Sequence, residues 1–251
     1  MNFGKYISEI VFDNKLNKDS YLCDLPVIKH LGEYEKLEFS TPVTFFVGEN
    51  GTGKSTLLEA IAVAFGFNAE GGSKNFNFST NSTHSDLWEH ITLVKREFAR
   101  DGFFLRAESL YNVATNIEEL DKIPAVAPFI TESYGGVSLH SQSHGESFLS
   151  IVQNRFGGNG LYILDEPEAA LSPMRLLTLM AEINSLVLRN SQFIIATHSP
   201  ILMALPNSKI FEFSKNGINC VSYTDTEHYK ITKSFLDNPE KMLHYLLDTE
   251  N

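Results

Sequence analysis

Gly48-Glu49-Asn50-Gly51-Thr52-Gly53-Lys54-Ser55 decides how this chain is read: glycines stand at the first and sixth positions and Lys-Ser closes the stretch. That is the pattern of a glycine-rich phosphate loop. Residues 43–47 ahead of it form a short β-prone apolar run entered through Pro42, and residues 55–65 behind it are rich in Ala and Leu and read as a helix. Strand, loop and helix therefore fall in the required order. Gly48, Gly51 and Gly53 lack the Cβ that would keep backbone amides from closing around phosphate oxygens, and a helix N-terminus offers unpaired N–H groups and a partial positive charge. The spacing predicts that a nucleoside triphosphate seats on Gly48 to Ser55 and Thr56. Lys54 is expected to reach the β- and γ-phosphates, and the Ser55 hydroxyl to ligate Mg2+.

The 251 residues are enough for a large core and fit a single α/β domain, 1–251, carrying a loop and a hairpin/helical insertion at about 67–130. A hydrophobic share of 43% with 20% charged residues is that of an ordinary globular protein. The net charge of −11 argues against non-specific adhesion to nucleic acid, so DNA is left open as a partner without being indicated, through a local patch alone. Cys23 and Cys220 sit in no ligand spacing and outline no disulfide framework. Residues 1–10 lack an apolar core of signal-peptide length, and no later run approaches a membrane span. The expectation is a soluble, cytoplasmic protein without direct membrane insertion.

Residues 6–12 and 36–39 read as strands that start a sheet with residues 43–47, separated by a polar loop or short helix containing Pro26. Residues 68–85, dense in Gly, Asn, Ser and Thr around Phe76 and Phe78, read as a surface loop. Residues 91–98 and 103–107 flank Arg100-Asp101-Gly102, a hairpin signal that carries the basic cluster Lys95, Arg96, Arg100 and Arg106. Leu110, Val113, Ile117 and Leu120 recur at helical spacing after Ser109, a candidate N-cap, and the inserted region closes before Pro124 and Pro128. Ser143-His144-Gly145-Glu146 opens an amphipathic helix, where an ordinary capping box and an anion site share one pattern.

Leu161-Tyr162-Ile163-Leu164-Asp165-Glu166 runs as a buried strand ending in two carboxylates. In a parallel sheet the strand C-termini line the ligand crevice, so Asp165 is expected to face the Mg2+ held by Ser55 and Glu166 to orient and deprotonate a water. Ser172-Pro173 begins a helix whose apolar face is read as Met174, Leu177, Met180, Ile183, Leu186 and Val187. Residues 193–197 form another buried strand, with His198 on the same ligand side. Residues 209–213 and 218–223 make an edge hairpin around Asn216-Gly217, and the tail from Thr232 is helical, interrupted by Pro239.

The order of these parts resembles the ATP-binding-cassette type of ATPase, in the short form of predicted AAA-family ATPases related to the SMC and double-strand-break-repair ATPase heads. The resemblance spans most of the chain and implies a P-loop fold with a mixed sheet flanked by helices. By it, residues 48–55 are Walker A, 143–146 the signature, 161–166 Walker B, 169–173 the D-loop and His198 the switch histidine. It further implies ATP and Mg2+ as ligands and an ATP-dependent homodimer in which Ser143 and Gly145 of one subunit meet the nucleotide of the other. Glu166 and His198 would act in hydrolysis, and an unidentified protein partner would receive the conformational change. Two positions depart from the family pattern: Gln142 stands for the signature leucine and His144 for its first glycine. No glutamine lies between Walker A and the signature, where Glu108 is a stand-in. A transporter energiser and a slow nucleotide-dependent switch or scaffold are the competing functions.

Overall fold

The computed structural model describes residues 6–13, 20–34, 36–74, 85–123 and 128–247. Residues 75–84 of the predicted polar loop, with Phe76 and Phe78, and Pro124 lie outside the described residues. The chain runs β1 (Glu9–Phe12), α1 (Pro26–Tyr34), β2 (Lys36–Glu38), β3 (Val43–Gly48), α2 (Lys54–Phe65), β4 (Ile91–Val94) and β5 (Asp101–Arg106). It continues through α3 (Leu110–Asp121), α4 (His144–Arg155), β6 (Gly160–Asp165), α5 (Pro173–Leu188), β7 (Gln192–Ala196) and the single turn α6 (Pro200–Met203). The hairpin β8 (Ser208–Ser214) and β9 (Gly217–Val221) follows, and then α7 (Glu227–Asp237) and α8 (Pro239–Leu247).

Six strands form one sheet in the order β5-β6-β7-β3-β8-β9, parallel except for β9 at the edge. Its central strands are buried along their whole length, as a parallel sheet covered on both faces requires. Side chains alternate between two cores. Val43, Phe45, Val47, Tyr162, Leu164, Phe193 and Ile195 point to one face, where α3, α4 and α5 supply Val113, Phe148, Ile151, Leu179 and Ile183. Phe46, Leu161, Ile163, Ile194 and Ala196 point to the other, against Leu57, Leu58 and Ile61 of α2 and Val27 and Leu31 of α1.

The structure corrects three expectations. First, β1 and β2 do not join β3; with β4 they make a separate antiparallel sheet in the order β2-β1-β4. Their burial alternates while that of β3 is continuous, the difference between a sheet covered on one face and one covered on both. Gln192 ties this part to the large sheet: its side-chain oxygen accepts from the Tyr6 and Ile7 amides at 3.1 and 3.0 Å, and its amide donates to the Ile7 carbonyl at 2.8 Å.

Second, Asp101-Gly102 is not a hairpin turn, because β4 and β5 belong to different sheets. Asp101 instead accepts from Arg155 at 2.8 Å, the Gly157 amide at 2.8 Å and the Tyr162 hydroxyl at 2.7 Å, which pins the start of β5 to the loop between α4 and β6. A Cβ on Gly102 would stand 2.8 Å from the Leu161 carbonyl oxygen, so the glycine serves close strand approach. Third, Met174 and Leu177 lie outside, 72% and 51% exposed, and α5 buries Leu176, Leu179, Ile183 and Leu186. The other residues read as its apolar face, Met180, Ile183, Leu186 and Val187, do pack on the core, so the stripe departs from the sequence reading in its first turns alone. No helix among the described residues is long and apolar enough to cross a membrane.

Candidate functional site

The large sheet brings the exits of β3, β6 and β7 together, because β3 and β6 both pair with β7 in parallel. Gly48 ends β3 at φ +129°, and a Cβ there would stand 2.0 Å from the Phe213 carbonyl oxygen. Gly53, at φ +95°, would drive a Cβ to 2.3 Å from Val27. Both positions exclude a side chain by backbone angle and by space. Between them Glu49, Asn50 and Gly51 are exposed, Thr52 is buried and donates to the Glu49 carbonyl at 2.8 Å, and Lys54, Ser55 and Thr56 begin α2.

Lys54 is 4% exposed, and its ammonium donates to the carbonyls of Gly48 at 2.7 Å and Glu49 at 2.8 Å. Burial pushes its pKa down, while the carboxylates of Glu166, Asp165, Glu168 and Glu49 act in the opposite sense. The Ser55 hydroxyl donates to Asp165 Oδ1 at 3.1 Å across 110 residues of sequence. Asp165 is 5% exposed, with Arg106 Nε 3.4 Å from its other oxygen. A hydroxyl and a carboxylate meeting at the head of a helix are a hard-oxygen donor pair, which fits a small divalent cation that completes its shell with phosphate and water.

Burial pushes the Asp165 carboxyl up to about 6, Arg106 opposing it. The folded chain therefore holds this proton more tightly than the unfolded chain, whose carboxyl keeps the ordinary 3.8. Ionised Asp165 costs little below about pH 4, and its cost grows as pH rises through about 6. Asp165→Asn keeps an oxygen for Ser55, and Arg106 retains Glu59 at 2.7 Å and Glu108. Without metal or nucleotide, this variant is expected to be more stable than the parent by about 3 kcal/mol at about pH 7.5, with the gain gone near pH 4. Urea melts in chelator at both pH values check this; an Asn variant no more stable at the higher pH contradicts it.

Glu166 takes a left-handed conformation at φ 47°, with its amide donating to the Ala196 carbonyl at 3.0 Å. A non-glycine residue held there costs on the order of 1–3 kcal/mol, and such outliers gather at functional sites. Its carboxylate lies 3.6 Å from His198 Nε2. His198 is half-buried, and burial followed by the Lys54 charge pushes its pKa down. Ser55, Arg106, Glu108, His144, Asp165 and Glu166 line a cavity of 270 Å³ beside this group. Glu108, offered by the resemblance in place of a glutamine, thus lines this cavity.

Ser143 and Gly145 lie at the start of α4 and are not among the residues lining that cavity. Ser143 is exposed, and Glu146 accepts from its amide at 2.9 Å and its hydroxyl at 2.6 Å. Gly145 is buried: a Cβ would stand 2.5 Å from Arg175 Nη1 and 2.8 Å from the Ala170 carbonyl oxygen. Arg175 also donates to Ser143 Oγ at 3.2 Å and Glu146 Oε1 at 3.0 Å, so a cation from α5 rests on the start of α4.

Sequence reasoning missed four residues of this neighbourhood. Arg106 reads in the sequence as part of a hairpin's basic cluster, yet it ends β5 opposite Asp165; a charge closing a buried strand is the available signal. Glu168 accepts from Thr197 Oγ1 at 2.8 Å and from the His198 amide, and burial raises its pKa. Arg175 and His228, whose Nε2 lies 2.9 Å from His198 Nδ1, come from distant segments with no local pattern.

Two family models match the chain in succession. One, described as an AAA domain, covers residues 27–125, and the other, an AAA domain whose description also names the AbiEii toxin of a Type IV TA system, covers residues 137–204. None of the curated proteins matches the chain. Among solved structures, CbiO1 of Clostridium perfringens, part of the ABC transporter complex CbiONQ, is 17% identical with a TM-score of 0.51, over 96% of this chain and 99% of that one. The SMC head domain from Thermotoga maritima is 15% identical with a TM-score of 0.44, over 86% of this chain and 98% of that one. Over residues 27–125 and over residues 137–204 the chain is thus similar to AAA domains, and it shares its fold with CbiO1.

Proposed function

We propose that the protein binds ATP with Mg2+ on residues 48–56 and hydrolyses it between two copies of the chain, passing the conformational change to a protein partner. The observation that carries this reading is the meeting of the Ser55 hydroxyl with the Asp165 carboxylate at the head of α2, with Glu166 and His198 beside it. In this reading the phosphate chain lies along the amides of the loop, and Lys54 exchanges its two carbonyl partners for β- and γ-phosphate oxygens. Ser55 and Asp165 would hold Mg2+, which when bound would neutralise phosphate charge.

Glu166 accepts a proton from the attacking water, and its 43% side-chain exposure leaves that water an approach. His198 steadies the γ-phosphate oxygens and the water through Nε2. In the nucleotide-bound dimer, Ser143 and the first amides of α4 from the second copy close the open side of the γ-phosphate. Exposure of Ser143 at the start of α4 supports this assignment.

The purified protein is expected to release phosphate from ATP with Mg2+ and not in chelator. His198→Ala is expected to lower kcat about 10²-fold while the Kd for Mg-ATP stays within twofold, since its contact strengthens as the reaction proceeds. Steady-state kinetics beside equilibrium titration separates the two quantities. Parental turnover in the variant assigns His198 to structure alone.

A further inference from the structure

His198 reaches the site from the exit of β7, and its two ring nitrogens face different groups. Nε2 looks toward Glu166 Oε1 at 3.6 Å, while Nδ1 lies 2.9 Å from Nε2 of His228 on α7, with the ring centroids 5.0 Å apart. The backbone at His198 is already held, because half-buried Glu168 accepts from its amide and from Thr197 Oγ1. His228 is held independently. The buried Thr226 caps α7 by accepting from the Tyr229 amide at 3.3 Å, and the Glu227 amide donates to Glu212 of β8 at 2.9 Å. Two rigid supports thus bring two half-buried imidazoles into one hydrogen bond.

Such a bond between neutral imidazoles needs one donor and one acceptor. Burial and the Lys54 charge hold both rings toward the neutral form. On the Nε2 side of His198 stands the Glu166 carboxylate, joined on the proposed function by the γ-phosphate; both only accept. The proton of His198 therefore belongs on Nε2, its Nδ1 accepts, and His228 Nε2–H donates. We propose that His228 is a positioning residue that fixes the tautomer and ring orientation of His198 and thereby makes hydrolysis depend on the seating of α7. This inference rests on His198 acting in hydrolysis. It adds a partner 30 residues along the chain, on a helix none of whose residues is fully buried.

The test uses the full chain with labelled histidine, in wild type, His228→Ala and His228→Gln, the last restoring an N–H donor. Imidazole nitrogen NMR of nucleotide-free protein is expected to show His198 protonated on Nε2 in wild type, a mixture of tautomers in His228→Ala, and recovery in His228→Gln. Turnover in His228→Ala is expected to fall about tenfold at unchanged Kd for Mg-ATP, as suits the loss of one hydrogen bond, and to recover in His228→Gln. In a His198→Ala background the His228→Ala change is expected to have no further effect. A wild-type tautomer in His228→Ala overturns the proposal, as does a loss of Mg-ATP affinity equal to the loss in turnover. Parental turnover in His198→Ala alone defeats the functional reading instead, and the tautomer measurement still judges the pair.

Discussion

Glu166→Gln is expected to lower ATP turnover by about 10²- to 10⁴-fold, the usual share of a general base, while leaving Mg-ATP binding intact. The amide keeps the size of the side chain and a hydrogen-bonding oxygen toward the water, but it accepts no proton. The left-handed backbone at φ 47° and the bond from the Glu166 amide to Ala196 do not involve the side chain, so the turn survives the change. If two copies close around two nucleotides, the stalled protein has nothing to dissolve the seam and accumulates as a dimer with Mg-ATP, returning to monomer without it. Adding Ser143→Arg is expected to prevent this, because a second guanidinium would stand beside Arg175, already 3.2 Å from Ser143 Oγ. Phosphate release and light scattering after size exclusion give the two readouts. A Glu166→Gln protein that still turns over at the parental rate removes Glu166 as base; one that stays monomeric with saturating Mg-ATP removes the sandwich and leaves ATP binding standing.

What could be read from the sequence is what is local or fixed by strand order. The phosphate loop is written in eight consecutive residues, and its glycines answer to backbone angles and close contacts at those same positions. Asp165, Glu166 and His198 were legible because a continuous apolar run predicts a doubly covered parallel strand, and such strands end on one side of a sheet. The misreadings arise where a local pattern serves a distant contact. Asp101-Gly102 has the composition of a turn, but its carboxylate is used by Arg155, Gly157 and Tyr162, more than 50 residues ahead. On α5 the helical period is plain and its phase in the first turns is not, since Met174 and Leu177 satisfy a stripe as well as Leu176 and Leu179 do. The contacts that hold His198, Glu168 at its amide and His228 at its ring, depend on packing across three segments and leave no periodic trace.

Lys54→Ala is expected to weaken Mg-ATP binding by on the order of 10²- to 10³-fold, the value of two or so charge-assisted hydrogen bonds in a water-poor setting. The size of the effect follows from the neighbourhood. Glu49, Asp165, Glu166 and Glu168 all act on Lys54, so its removal leaves a concentration of carboxylates facing a highly anionic ligand. The ammonium also ties the loop by donating to the Gly48 and Glu49 carbonyls, and alanine leaves both without that partner. Part of the loss would then come from a slackened loop. Lys54→Met separates the two contributions: it fills the buried volume without charge, so an affinity as poor as that of the alanine variant assigns the loss to the missing cation. Recovery in Lys54→Met assigns it to packing. Calorimetric titration with a non-hydrolysable ATP analogue and Mg2+, alongside thermal melts to confirm folding, decides between them. Unchanged affinity in both variants would mean that the triphosphate is not held where Ser55 meets Asp165.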